Sequence, residues 1–129
     1  MYALGFDSGT QGTKALIVEM ETGRVAGRGY APHQMVEGLP PGESEQLPET
    51  WTEALKKSLS EALQDSGIDP AQVACLGVSG QQHGLVALDR NLKPIRPAKL
   101  WNDTSTVRET EELISAAGGQ KAFIDRTGL

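Results

Sequence analysis

Tyr2, Leu4 and Phe6 alternate with the smaller Ala3 and Gly5, a period of two that predicts a buried strand from Tyr2 to Phe6. The polar turn Asp7-Ser8-Gly9-Thr10-Gln11-Gly12 separates it from a second strand at Thr13 to Glu19, built on Ala15-Leu16-Ile17-Val18. Glu21-Thr22-Gly23 then turns the chain into a third strand at about Arg24 to Ala31, so an antiparallel three-stranded meander is expected. From Pro32 to Leu47 Pro, Gly and Glu accumulate around Pro40-Pro41-Gly42, which predicts a surface loop in which His33 is solvated rather than catalytic. At Pro48 the period changes to 3.6. Trp51, Ala54, Leu55, Leu59, Ala62 and Leu63 share one helical face, Pro48 suits the first turn and Gly67 the C-cap, although Leu47 is a poor N-cap.

Val73 to Ser79 predicts another strand, ending in Gly80-Gln81-Gln82-His83-Gly84, and Leu85 to Leu88 resumes as a strand before a turn at Asp89-Arg90-Asn91. Arg90, Lys93, Arg96 and Lys99 form a basic cluster broken by Pro94 and Pro97, without interleaved aromatics, and it reads as a solvated loop or edge with no function. Ala98 to Trp101 is expected as a short strand delivering Trp101-Asn102-Asp103 to a turn. Thr106 and Glu109 have the spacing of a capping box for a helix to about Ala117, stopped by Gly118-Gly119. The last ten residues, Gln120 to Leu129, offer no closing element that would make a natural domain end, and no repeat or low-complexity tract interrupts the chain.

At 129 residues, 38% hydrophobic and 22% charged, the chain fits one small globular domain with a modest core. Twelve Lys and Arg against seventeen Asp and Glu give a net charge of -5, which argues against a surface made for nucleic acid or anionic lipid. An anion bound here must be held by local backbone geometry. The single cysteine, Cys75, allows no internal disulfide and is expected as a small buried hydrophobe in a reducing compartment. The N-terminus has neither a basic region nor an apolar core of a leader, and no apolar run reaches membrane-spanning length, so a soluble cytoplasmic protein is expected.

Three polar turns each follow a strand-like segment: Asp7 to Lys14, Gly80 to Gly84, and Trp101 to Asp103. In an α/β sheet such ends can converge on one crevice. The first turn combines two glycines and three hydroxyls with a carboxylate, so its N–H groups can cradle an anion while Asp7 holds a cation, a combination suited to nucleotide phosphate with Mg2+. It is neither a Walker A loop nor the dinucleotide fingerprint, because a strand follows where those motifs have a helix. Taken alone, it reads more readily as an ordinary hairpin turn with Asp7 bonding nearby backbone, and context must overturn that.

In sequence, Gly5-Phe6-Asp7-Ser8-Gly9-Thr10-Gln11-Gly12-Thr13-Lys14 resembles the first phosphate loop of the actin/hexokinase/Hsp70 superfamily, particularly its FGGY carbohydrate kinase branch. Glu45-Gln46-Leu47-Pro48-Glu49-Thr50-Trp51 resembles that branch's Glu-Gln-x-Pro-x-x-Trp, and Gly80-Gln81-Gln82-His83-Gly84 with Leu100-Trp101-Asn102-Asp103 resembles its xylulose-phosphorylating members. The resemblance covers essentially the whole chain. It implies a ribonuclease H-like (actin-like ATPase) fold, with a mixed sheet opening on the meander and helices packed on it. Members are several times longer, so residues 1–129 are expected to be the N-terminal part of a kinase N-terminal domain, with a second domain, the catalytic base and the adenosine site beyond them.

What the resemblance implies for chemistry is in-line transfer from MgATP to a sugar hydroxyl, D-xylulose being a better guess than glycerol, with this piece inactive alone. Asp7 would bind Mg2+, directly or through water, as the charge-bearing catalytic group of this chain. Ser8, Gly9, Thr10, Gln11, Gly12, Thr13 and Lys14 would meet the phosphates, although Lys14, on a strand, could face away. Gln82, His83, Trp101, Asn102 and Asp103 would meet the sugar. His83 could instead be a half-buried structural histidine, Trp101 could fill the core, and Asp103 could cap the following helix. Thr104-Ser105 departs from the Gly-Arg or Arg-Arg pair that relatives often carry there. Other acceptors (ribulose, gluconate, erythritol, glycerol) and an actin-like or chaperone-like ATPase stay open. The partners expected are small-molecule sugar and ATP, with no nucleic acid and no membrane, and a homodimer of the full-length enzyme is compatible with this.

Overall fold

The computed structural model describes residues 1–128, in which four strands form a mixed sheet with one long helix against one face. Strands β1 (Tyr2–Ser8), β2 (Gly12–Glu19) and β3 (Val25–Pro32) make the expected meander, with Asp7 opposite Lys14 and Thr13 opposite Ala31. The two-residue β4 (Glu45–Gln46) precedes helix α1 (Pro48–Ser66), and a short 3-10 turn at Pro70–Gln72 leads into β5 (Val73–Gly80). β5 runs parallel to β1, giving the order β3-β2-β1-β5. β6 (Ala98–Lys99) pairs with β4 in a separate ribbon, and helices α2 (Val107–Ala116) and α3 (Gln120–Thr127) close the described chain.

Alternation along the meander sorts side chains by face. Leu4, Phe6, Ala15 and Ile17 are buried and cluster with Ala62, while Leu55, Leu59 and Leu63 of α1 pack against them. Each fully buried large aliphatic contributes about 1.5–3 kcal/mol, so this cluster is the principal source of stability. Asp7, Lys14, Leu16 and Tyr30 point to the other, open face. α1 sits unusually close to β3, because a Cβ on Gly29 would fall 1.9 Å from the Ser58 carbonyl oxygen and one on Gly27 2.3 Å from that of Ala62. The helix residues at this seam, Ala54, Ser58 and Ala62, are correspondingly small and buried.

Several expectations are corrected. Cys75 is exposed, as are Leu76 and Val78, because α1 lies over β2 and β3 and leaves β5 uncovered. A helix about 10 Å wide covers roughly two strands spaced about 4.8 Å apart. The Leu85 to Leu88 strand does not form: only isolated bridges pair Leu85 with Lys99 and Leu88 with Pro94. Thr106 makes no side-chain cap, so the capping box is absent although α2 starts beside it. Helix α3, entered through Gly119 and without a buried residue, forms where the sequence pattern predicted no element; Leu129 lies outside the described residues.

The presumed loop between β3 and α1 is the largest departure. His33, Ser44, Glu45 and Gln46 are all buried. The basic cluster is also not uniformly solvated, for Arg96 pairs with Glu45, and Lys99 lies 3.2 Å from Glu45 and 3.1 Å from Asp103. Charge pairing across β4 and β6 thus fixes a segment whose composition reads as unstructured. No helix among the described residues is long and apolar enough to cross a membrane.

Candidate functional site

Residues Ser8 to Gly12 carry the chain from the C-terminal end of β1 into β2. Their open side forms a cavity of about 480 Å3 lined by Asp7, Gly9 to Gly12, Lys14, Tyr30, Trp101 and Asn102. Asp7 and Lys14 share this side because they are cross-strand partners in the antiparallel register. Lys14 therefore faces the site. A Cβ on Gly12 would come within 2.6 Å of the Ala31 carbonyl oxygen and of the Tyr30 ring, so only glycine fits where the loop enters β2. A larger groove of about 630 Å3 runs between α1 and the segment 31–36, but it includes none of the glycine-rich loop.

Not every residue of the loop faces the cavity. Thr13 is fully buried on the α1 side, where its Oγ1 lies 2.8 Å from His33 Nε2 and 3.1 Å from Ser8 Oγ. These two hydroxyls brace the loop from beneath, and Thr10 is the one whose hydroxyl meets the other turns. The Thr10 hydroxyl donates to Gln81 Oε1 at 3.1 Å and accepts from Trp101 Nε1 at 2.9 Å. The Gln81 N–H also donates to the Ser8 carbonyl at 2.9 Å. All three polar turns read from the sequence therefore meet at Thr10.

Gln82 and His83 continue from Gln81 onto an exposed turn, and His83 has φ of 61°. That left-handed conformation costs a non-glycine residue roughly 1–2 kcal/mol, and such strain concentrates at ligand sites. His83 is thus neither half-buried nor in the core. Trp101 is 61% exposed and does not fill the core; its indole lies along the cavity beside Asn102. Asp103 is placed differently. Its side chain is 3% exposed; Oδ2 accepts from the Ser44 N–H (2.8 Å) and Lys99 Nζ (3.1 Å), and Oδ1 from the Ser105 N–H (3.0 Å) and hydroxyl. Burial would raise its pKa, yet the hydrogen bonds from Ser105, Ser44 and Lys99 together hold it well below the ordinary carboxylate value. In this geometry the carboxylate braces the Trp101-Asn102 turn rather than standing open to sugar hydroxyls.

Among the described residues no group of three or more His, Cys, Asp or Glu side chains could hold a metal by themselves. A single exposed Asp7 fits Mg2+ nonetheless, since that ion commonly takes one or two carboxylates and completes its shell with water and substrate phosphate.

Sequence reasoning missed His33, Gln46 and Tyr30. Each is tied to the loop: Tyr30 lines the cavity, His33 binds Thr13, and Gln46 donates to the Thr10 carbonyl at 2.8 Å. The signal for Gln46 is its place in the Glu45 to Trp51 motif with Trp51, whose indole it accepts from.

Residues 2–129 match the model of the FGGY family of carbohydrate kinases, N-terminal domain. The chain is 43% identical over 130 residues to a xylulose kinase of Haemophilus influenzae, covering 98% of this chain and 26% of that protein. It is 44% identical over 125 residues to a xylulose kinase of Streptomyces coelicolor, covering 97% and 24%. The solved xylulose kinase of Rhodospirillum rubrum superimposes with a TM-score of 0.85 at 25% identity, over 96% of this chain and 25% of that one. The chain thus spans about a quarter of the length of these relatives. With the family's N-terminal domain matched from Tyr2 onward and its actin-like fold reproduced, the chain belongs to the FGGY family of carbohydrate kinases.

Proposed function

We propose that this chain is the N-terminal, substrate-binding part of an ATP-dependent kinase that transfers the γ-phosphate of ATP to a hydroxyl of D-xylulose. The observation that carries the reading is the meeting at Thr10 of a glycine-rich loop, the Gln81-Gln82-His83 turn and Trp101, each from a different stretch of chain. The names of the relatives supply the acceptor. Phosphoryl transfer asks a protein chiefly for positioning and charge neutralisation. The loop backbone from Ser8 to Gly12 and the Lys14 ammonium hold phosphate oxygens on the open side. Asp7 would hold Mg2+, which when bound neutralises phosphate charge. Gln82, His83 and Asn102 hydrogen-bond sugar hydroxyls while the Trp101 ring covers a sugar face. Asp103 acts by holding that turn. On this reading the base that deprotonates the sugar lies outside residues 1–129, and the 129-residue chain alone gives no turnover.

The test is ADP release by the full-length enzyme with D-xylulose, D-ribulose, gluconate, erythritol and glycerol. D-Xylulose should show the highest kcat/KM by at least about 10-fold, the scale set by one or two well-placed hydroxyl contacts. A preference for glycerol or gluconate, or ATP hydrolysis indifferent to sugar, would overturn it.

A further inference from the structure

A closed ring of hydrogen bonds joins the phosphate-side loop to the sugar-side turns, and its hub has no role in the chemistry above. Gln46 is fully buried. Its Nε2 donates to the Thr10 carbonyl at 2.8 Å, and its Oε1 accepts from Trp51 Nε1 at 2.8 Å and from Gln81 Nε2 at 3.3 Å. Gln81 Oε1 accepts from the Thr10 hydroxyl at 3.1 Å, which closes the ring Gln46-Gln81-Thr10. Trp101 Nε1 donates to that same hydroxyl at 2.9 Å.

The direction of every bond follows from the two indoles, because an indole N–H can only donate. Trp51 forces the Gln46 oxygen toward itself, so the Gln46 amide nitrogen faces the Thr10 carbonyl. The shared Gln46 oxygen then requires the Gln81 nitrogen, which leaves the Gln81 oxygen for the Thr10 hydroxyl proton. With its proton committed, the Thr10 oxygen has a lone pair for Trp101. A ring with a single consistent donor order is stiffer than separate pairs, since no member can flip alone. Thr10 belongs to the phosphate loop and Trp101 to the sugar side, so a displacement of one is felt by the other.

We propose that Gln46 is a positioning residue that couples the two substrate loops, so that sugar seated against Trp101 sets the phosphate loop for ATP. The inference rests on the sugar-kinase reading. It is tested in the full-length enzyme by calorimetric affinity for a non-hydrolysable ATP analogue, with and without D-xylulose. Wild type should bind the analogue at least about 5-fold more tightly with the sugar, a typical coupling, and Gln46→Met should retain less than about 2-fold. Trp51→Phe, which removes only the donor that orients Gln46, should weaken the coupling by less. A folded Gln46→Met enzyme with wild-type coupling overturns the proposal, as does a wild type without coupling. Should Gln46→Met fail to fold, Gln81→Met opens the ring but keeps both the Trp51 and Thr10 bonds of Gln46; lost coupling there supports the proposal and full coupling overturns it. Turnover on D-xylulose is scored separately. An enzyme that phosphorylates a different sugar defeats the acceptor assignment alone, and the coupling is then measured with that sugar.

Discussion

The meander with α1 and the segment from β5 onward have similar apolar patterns but different fates. Leu4, Phe6 and Ile17 are at most 6% exposed, whereas Leu76 and Val78 of β5 are 60% and 63% exposed, and neither α2 nor α3 has a buried residue. A period of two specifies a strand. Whether either face of that strand is buried depends on what packs on it, and α1 reaches only β2 and β3 well. The first region is organised by close backbone approach and the second by surface turns, which is also where the residues proposed to meet the sugar lie.

The sharpest way to break this contrast is to add the same side chain to both regions. Gly29→Val places its Cβ against helix backbone at Ser58, and backbone cannot rotate away. Overpacking typically costs about 1–3 kcal/mol, and here the upper end or outright failure to fold is expected. Gly77→Val on β5 meets nothing within 4 Å and should change stability by less than about 1 kcal/mol. Urea unfolding of the two variants of the 129-residue chain is the measurement; equal destabilisation would show that β5 is as tightly packed as β3.

Chemistry gives the second contrast. Asp7→Ala removes the carboxylate at the mouth of the glycine-rich loop and should lower kcat by at least about 100-fold in the full-length enzyme. Near-normal kcat at saturating Mg2+ would reduce Asp7 to a turn residue. On the other side of the site, His83→Ala should lower kcat/KM for D-xylulose by roughly 10- to 100-fold while ATP affinity measured without sugar holds. A parallel fall in ATP affinity and melting temperature would instead mark His83 as structural.

What could be read from the chain follows from how local each determinant is. The meander, α1 and β5 are written in nearest-neighbour patterns, and their boundaries agree with the structure within a residue or two, whereas the Asp7 to Lys14 turn is shorter than its polar run, with only residues 9–11 outside β1 and β2. The family resemblance rests on short motifs and is equally legible. His33 and Gln46 were not, since each is a polar residue whose burial is compensated by a partner remote in sequence, Thr13 for one and Thr10 for the other. The Leu85 to Leu88 segment failed for the complementary reason: it alternates, yet only single bridges to Lys99 and Pro94 are available to it. Asp103 shows the same limit at the site. Its sequence position suits a sugar contact, but four donors, three of them near it in sequence and one, Ser44, far away, fill its oxygens.

The smallest expected effect belongs to His33, the buried brace under the glycine-rich loop. Burial is the main cause lowering its pKa from the ordinary value of 6.5, partly opposed by the nearby backbone of Gly9 and Thr10. Its Nε2 is engaged with Thr13, and its Nδ1 is buried with no partner among the described residues. The folded protein therefore holds this imidazole neutral at pH values where the unfolded chain begins to protonate it. Above about 6.5 neither state takes a proton and the full stability is present; as the pH falls from 6.5 toward the lower folded value, the unfolded state gains protons first and stability declines. The slope cannot exceed about 1.4 kcal/mol per pH unit, the limit for one proton. Replacing His33 by Gln keeps a side-chain amide able to reach Thr13 but cannot titrate. Urea unfolding of the full-length enzyme between pH 7.5 and 5 should show wild type losing stability relative to His33→Gln on the acid side only. Parallel pH profiles for the two proteins would mean that His33 titrates alike in both states and that its burial does not govern its charge.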